Sequence, residues 1–347
     1  MGTVRSRLAS LIAFDFSLAD WPDAIRGSLV TAIVTVIPVL GGDLEKAIPL
    51  SIGAAFIAIS ESGQPFGQRW RAMLWTTAGL MIAVGLGSAL SDVHFLAIAA
   101  TGVVAFVCGS MGFLGRRAAV GGLLALVLFS IYVGVPVPLD DAFTSAALVG
   151  LGGFIQAVAS VLMGVSRGRH KLPQPPAEAF PKISTLWNEQ RAFLRHGIRL
   201  AIVMVIATSI SESISVPHPY WLPMSVAWMS KPDHDGTVVR VIHRLTGTIV
   251  GLLIAFLVVV TVHPEGAGFL PLAIAGATIA IAFIWANYAI AVTGVTIWVV
   301  SLFAMVGDPV VATMDARLLA TVGAAGLVLL ATGLSDWRPR KAAGAPR

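Results

Sequence analysis

The chain has 347 residues, of which 56% are hydrophobic and 12% are charged, and its mean hydropathy is +0.86. In a soluble domain about a quarter of the residues are charged, so this composition excludes an ordinary soluble protein and indicates a membrane protein. Cys108 is the single cysteine of the sequence, which excludes an intrachain disulfide and a cysteine-based metal cluster.

Apolar runs predict an all-α polytopic membrane protein with about twelve transmembrane helices, since most runs reach the roughly 17 residues that cross the hydrocarbon core. In chain order the predicted segments lie near 25–41, 46–60, 71–90, 94–113, 117–135, 142–165, 197–214, 219–230, 243–262, 268–285, 287–306 and 316–334. The second and the eighth are too short to cross as straight helices, and Pro49 and Pro223 stand in them. We therefore predict that these two helices are short and broken.

The hydrophobic plan of the first half recurs in the second half, about 173 residues later. Pro49-Leu50-Ser51 returns as Pro223-Met224-Ser225, and Asp141-Ala142 returns as Asp315-Ala316. A duplicated unit preserves such spacings, and duplicated hydrophobic units are typical of secondary transporters. We predict two parallel six-helix repeats, related by an axis along the membrane normal, with the boundaries 24–165 and 197–334.

The basic residues divide unequally between the two faces of this arrangement. With six spans in each half, all 23 lysines and arginines except Lys46 and Arg317 fall on the face that carries both termini. By the positive-inside rule this face is cytoplasmic, so we expect a multi-pass protein of the bacterial inner membrane. The isoelectric point of about 9.8 then reflects topology and requires no nucleic acid as a partner.

Three segments lie outside the predicted repeats. Residues 1–23 predict an amphipathic helix at the membrane interface, with a signal peptide as the alternative. Residues 166–196 predict a proline-rich, basic linker on the cytoplasmic surface, and residues 335–347 a basic tail.

The densest polar motif lies at residues 217–251 and follows an arginine that opens a helix. Its features in chain order are Arg199, Pro219-Tyr220-Trp221, Lys231-Pro232, Arg240, Arg244, Gly247-Thr248 and Gly251. In these features the chain resembles the fusaric-acid-resistance-like family of bacterial inner-membrane aromatic acid exporters. The match covers the second half, whereas the first half lacks the Tyr-Trp and Gly-Thr pairs. Each six-helix unit is also similar to one subunit of the plant aluminium-activated malate transporters, which are dimeric anion channels. That similarity implies a monomeric pseudo-dimer.

Physical arguments for an anion path support the implied function. Short, proline-interrupted segments at matched positions indicate a transporter site, because a helix end inside the membrane presents free N–H groups and a positive dipole. Arg240 and Arg244 share one helix face. We predict a substrate site made of Arg199, Tyr220, Trp221, Pro223, Trp228, Lys231, Arg240, Arg244 and Thr248. Trp298 is a further candidate for a pocket that stacks on a planar ring.

Structural interpretations of the same residues remain open. Arginines at cytoplasmic helix ends also reach lipid headgroups, tryptophans form interfacial belts, and the Gly247-to-Gly251 spacing is typical of close helix packing. The histidines lack metal-ligand spacing, and Gly85-Leu86-Gly87 follows no strand, so we expect neither a metal, a cofactor nor an enzymatic activity.

The leading hypothesis is a transporter that exports small organic anions, aromatic carboxylates in particular, from the cytoplasm. A passive anion channel is the alternative from another class. The third hypothesis is an inner-membrane subunit that requires a periplasmic adaptor and an outer-membrane channel as partners. Few acidic residues lie in mid-span, so the sequence favours export driven by the membrane potential over proton coupling.

Overall fold

The computed structural model describes residues 21–61, 66–136, 138–172 and 191–336, and these residues form an all-α membrane protein. The described helices are α1 (Trp21–Leu40), α2 (Leu44–Glu61), α3 (Phe66–Leu90), α4 (His94–Ser110), α5 (Arg116–Val133), α6 (Leu139–Ser166), α7 (Arg191–Ser213), α8 (Trp221–Met229), α9 (His234–Val262), α10 (Leu270–Phe283), α11 (Tyr288–Met305) and α12 (Val310–Asp336). Most of the predicted N-terminal helix, linker and tail lies outside the described residues.

Ten of the described helices are long and apolar enough to cross a bilayer, and α2 and α8 are not among them. The short predicted eighth segment agrees with α8, whose nine residues extend only about 13 Å. The prediction of a short, broken second segment is wrong. α2 has 18 residues because Leu44, Glu45 and Lys46 extend it before the apolar run, and the helix continues through Pro49. Twelve crossing segments stay a prediction.

Local sequence explains where several helices begin. The Asp233 carboxylate accepts a hydrogen bond from the Gly236 N–H at 2.6 Å and thereby caps α9. Asn287 caps α11 by accepting hydrogen bonds from the N–H groups of Ala289 and Ile290 at 3.0 and 3.2 Å. Each cap satisfies donors that the first helical turn leaves without a partner.

One face of α1 and one face of α7 expose an apolar stripe with a four-residue spacing. The stripe on α1 consists of Ile25, Leu29, Ile33 and Ile37, and the stripe on α7 consists of Ile198, Ile202, Ile206 and Ile210. Every member of one stripe lies 173 residues from its counterpart in the other. Bilayer lipid is the environment in which such a continuous apolar helix face is stable.

Helix packing follows the same order in both halves. In the first half α3 packs against α5 and α6, and α2 packs against α1 and α6. In the second half α9 packs against α11 and α12, and α8 packs against α7 and α12. Across the halves, α4 packs against α7 and α10 packs against α1. A duplicated six-helix unit predicts this matched pairing, and the axis that relates the halves stays a prediction.

Gly247 on α9 allows the backbone of α11 to approach closely. A methyl group at this position would overlap the carbonyl oxygen of Ala289, whereas a methyl group at Gly79 on α3 would meet nothing. We expect Gly247→Ala to lower the melting temperature of the purified protein, since overpacking costs about 1–3 kcal/mol. Gly79→Ala is the control and should be neutral or stabilising by up to about 1 kcal/mol, because alanine favours the helix. Equal melting temperatures for the two variants would contradict the close packing.

Candidate functional site

A cavity of about 500 Å³ lies between the two halves of the molecule. α2, α5 and α6 of the first half line it together with α8, α9, α10, α11 and α12 of the second half. Its polar and aromatic lining residues are Glu45, Phe56, Tyr132, Ser145, His218, Tyr220, Trp221, Trp228, Arg244, Tyr288, Trp298, Phe303 and Arg317. A volume of several hundred Å³ with an aromatic lining is typical of a small-molecule site.

The short helix α8 gives the cavity much of its aromatic lining. Tyr220 and Trp221 begin the helix, and Ser230 ends it, ahead of Pro232. All nine residues of α8 are buried, so the helix lies inside the protein and away from lipid. The Trp228 ring also meets Phe56 of the first half edge to face, with the ring centres 6.4 Å apart. α8 therefore brings aromatic rings to the boundary between the halves.

Arg244 and Arg317 bring two positive charges into this apolar cavity. Arg244 is 1% exposed and Arg317 is 0% exposed. Among the described residues, none accepts a hydrogen bond from Nε or Nη2 of Arg244, or from any of the three Arg317 nitrogens. Arg244 Nη1 donates to the Tyr288 hydroxyl at 3.4 Å, and the Arg317 guanidinium lies 5.2 Å from the ring centre of Trp221. Buried guanidinium groups without a carboxylate are costly and favour an anionic ligand.

His218 closes the end of the cavity that lies away from the predicted cytoplasmic face. Its ring stacks on Trp221 at 4.4 Å and contacts Phe303 at 4.2 Å, measured between ring centres. Burial lowers the pKa of the imidazole, against the opposing effect of Asp308. In the neutral ring Nε2 donates to Asp308 at 3.0 Å, and Nδ1 accepts from the Tyr220 hydroxyl at 3.1 Å. His218 thus joins the loop before α8 to the loop before α12.

At the opposite end of α8, basic groups surround the loop that leads into α9. The Arg240 guanidinium lies 3.3 Å from the ring centre of Tyr288, and its Nε donates to the Trp228 carbonyl at 3.3 Å. Arg199 donates to the carbonyl oxygen of Lys231. Burial, followed by the charge of Arg240, lowers the pKa of Lys231 to about 8. Tyr288 therefore connects Arg240 at this end with Arg244 inside the cavity.

The structure divides the predicted site residues into two groups. Tyr220, Trp221, Trp228 and Arg244 line the central cavity, and so does Trp298. Outside that lining lie Arg199, Pro223, Lys231, Arg240 and Thr248. Lys231 lines a second cavity of about 90 Å³ together with His196 and Phe193. The substrate-binding role of both groups stays a prediction.

Arg317, His218 and Tyr288 are cavity residues that the sequence-based site omits. The charge pattern did contain a signal for Arg317, which is one of two basic residues on the acidic face and stands inside an apolar run. An ionisable residue within a membrane span is a candidate functional residue by default. Comparison of the two halves does not point to Arg317 as a site residue, because its counterpart in the first half is Phe143.

The first half buries its charges in ion pairs at the end of the bundle where α1 begins. Glu61 is 1% exposed and pairs with Arg26, and its carboxylate lies 3.6 Å from Arg69. Asp23 accepts from Arg69 at 2.5 Å and from Arg169 at 2.9 Å. We call these five residues the buried ion cluster. It joins α1, α2 and α3 to the segment after α6, outside the cavity lining.

Comparison with known proteins identifies the second half. Residues 205–331 match the family model described as fusaric acid resistance protein-like. The uncharacterized protein ORF2 of Neisseria gonorrhoeae is 27% identical over 153 residues, which are 44% of this chain and 36% of that protein. The inner membrane protein YccS of Escherichia coli is 26% identical over 136 residues, covering 39% of this chain and 19% of that protein.

A third relative, the uncharacterized protein YhfK of Escherichia coli, is 28% identical over 86 residues, which cover 25% of this chain and 12% of that protein. The chain thus spans 12–36% of the length of these three relatives. No solved structure matches the chain.

Proposed function

We propose that this chain, whose residues 205–331 match the fusaric acid resistance protein-like family model, belongs to that family and is a transporter that exports small organic anions, aromatic carboxylates in particular. The observation that carries this proposal is the pair of buried arginines, Arg244 and Arg317, in a cavity lined by aromatic rings. A guanidinium group binds a carboxylate through charge-assisted hydrogen bonds, and the aromatic faces accommodate a planar apolar body.

The charge distribution along the chain supports the proposed direction of transport, which is export from the cytoplasm. The positive-inside rule favours a cytoplasmic location for the ends of α7 and α9 that carry Arg199 and Arg240. These residues would then gather anions at the cytoplasmic entrance, whereas His218 and Asp308 would lie at the periplasmic end. With this orientation we propose that both termini lie in the cytoplasm of a bacterial cell and that the protein lies in the inner membrane, the location named for the relative YccS.

The membrane potential is a sufficient driving force for such export. An anion that leaves a cell with a negative interior gains about 2.3 kcal/mol per unit charge and 100 mV, roughly a forty-fold gradient at equilibrium. The acidic groups of the buried ion cluster, Asp23 and Glu61, lie outside the lining of the cavity that would hold the anion. Electrogenic transport of the anion alone is therefore our proposed mechanism.

Reconstitution of the purified protein into liposomes tests this function. We expect uptake or release of labelled benzoate to follow an imposed potassium-diffusion potential and to persist when the pH gradient is collapsed. Protein-free liposomes with the same ionophores are the control. Flux that follows the pH gradient and ignores the potential would reject the electrogenic mechanism. A flux that rises linearly with benzoate concentration would favour a channel over a carrier.

A further inference from the structure

The central cavity contains two positive charges that neighbouring side chains leave uncompensated. Arg317 is close enough to Arg244 for the two guanidinium groups to repel each other. Neither guanidinium group has a carboxylate within 4.0 Å among the described residues. The ion pairs of these residues all involve other side chains. The two arginines therefore bring two positive charges to a cavity whose acidic residue, among the described lining residues, is Glu45.

The acidic residues near the cavity do not pair with Arg244 or Arg317. Glu45 is an exposed lining residue at the start of α2. Asp308 pairs with His218 at 3.0 Å, and Asp315, two residues before Arg317 on α12, is exposed. Tyr220 and Tyr288 lie near Arg317, but they contribute phenolic hydroxyls and no carboxylate. A ligand is thus the group that can supply two negative charges.

We propose, on the basis of the anion-transport function above, that the ligand of this cavity is a dianion: an apolar or aromatic body with two acidic groups, one for Arg244 and one for Arg317. A monoanion would neutralise one guanidinium group and leave the other buried with its charge unpaired, which is strongly unfavourable in a low-dielectric cavity. A dianion pairs with both guanidinium groups. The contact with the second arginine offsets the free energy needed to remove the second acidic group from water.

The aromatic lining of the cavity indicates which kind of chemical body joins the two acidic groups of the ligand. Arg317 lies over the Trp221 ring, Arg244 contacts the Tyr288 hydroxyl, and Trp228 and Trp298 complete the lining near them. Besides the two arginines, the cavity wall near them is aromatic and offers few hydrogen-bonding groups. A sugar or a polyol would lose its hydrogen bonds to water there without replacing them. A benzene ring with two carboxylates fits this chemistry, and the benzene dicarboxylates are therefore the probes of choice.

Isothermal titration of the full-length protein in nanodiscs at pH 7.5 tests the proposal. The probes are benzoate and the three dicarboxylates phthalate, isophthalate and terephthalate, which share one ring and are fully ionised at this pH. We expect at least one dicarboxylate to bind ten-fold or more tightly than benzoate. Arg317→Gln should reduce that preference to less than three-fold, because dicarboxylate binding weakens more than benzoate binding. Arg317→Lys retains the charge and should retain most of the preference.

Each alternative outcome has a defined meaning. If benzoate binds the wild-type protein as tightly as every dicarboxylate, the dianion proposal is overturned and the anion-transport function stands. If none of the four probes binds or is transported, the proposed function itself fails. An equal loss of benzoate and dicarboxylate binding in Arg317→Gln would indicate a structural role for Arg317 and would also overturn the proposal. The wild-type comparison decides the question even where the variant fails to fold.

Discussion

Arg244→Gln is expected to weaken anion transport ten- to hundred-fold in apparent affinity. The Arg244 side chain is 1% exposed, lines the central cavity and leaves Nε and Nη2 without a partner among the described residues. A desolvated contact between an arginine and a carboxylate contributes about 1.5–3 kcal/mol, which corresponds to this loss. Initial rates of benzoate and phthalate flux in liposomes, measured over a range of concentrations, give the apparent affinities.

Arg71→Gln is the matched control because Arg71 occupies the same position in the first half. Arg71 is exposed, and its guanidinium lies 5.2 Å from the ring centre of Trp70, away from the cavity lining. Its replacement removes one positive charge from the corresponding helix and should leave the apparent affinity within two-fold of wild type. Arg244→Lys should restore part of the affinity if the contact uses two guanidinium nitrogens. Equal losses in Arg244→Gln and Arg71→Gln would indicate an effect of overall charge and refute a contact in the cavity.

Glu61→Gln is expected to produce the largest loss of stability among the substitutions considered. The Glu61 carboxylate pairs with Arg26 and lies 3.6 Å from Arg69, and all three side chains are at most 7% exposed. Removing one partner of a buried ion pair costs about 3–5 kcal/mol, since the remaining charge stays buried without compensation. Thermal unfolding in detergent should show a melting temperature lower by roughly 4–7 °C.

The exposed pair of Lys46 and Asp43 provides the control for this measurement. Their charged groups lie 3.0 Å apart, and their side chains are 52% and 57% exposed. Because solvent screens such a pair, Asp43→Asn should change the free energy of unfolding by about 1 kcal/mol or less. If Glu61→Gln melts at the wild-type temperature, helix packing alone positions α1, α2 and α3, and the buried ion cluster contributes no net stability.

The sequence predicts the helices well because their signal is local. Apolar runs bounded by polar residues predict twelve segments, and ten helices of the described residues are long and apolar enough to cross a membrane. The interval from Tyr220 to Pro232 is too short for a straight crossing, as α8 confirms. The second segment was harder to predict, since Glu45 and Lys46 are polar residues that nevertheless continue the helix of Pro49. Composition identifies the apolar part of a helix, whereas hydrogen bonding decides where that helix ends.

The site was only partly predictable because burial depends on packing between the halves. Four predicted residues line the cavity, but the motif that suggested them also contains Arg199 and Lys231, which lie outside its lining. Arg71 and Arg244 follow the same spacing from the start of the two repeats, so this spacing does not reveal which of them is buried. The difference arises where α9 packs against α11 and buries Arg244 beside Tyr288.

The unequal charges of the two halves have a consequence for symmetry. In a homodimer with a two-fold axis, every arginine that one subunit contributes to a central cavity is accompanied by a copy from the other. Arg244 and Arg317 would then become four like charges in one small volume, and their mutual repulsion would oppose assembly. In this chain the counterparts are the exposed residues Arg71 and Phe143, the latter 74% exposed. Joining both halves in one polypeptide therefore permits a lopsided cavity, cationic along one wall and apolar along the other, which a symmetric pair of identical subunits is unable to form.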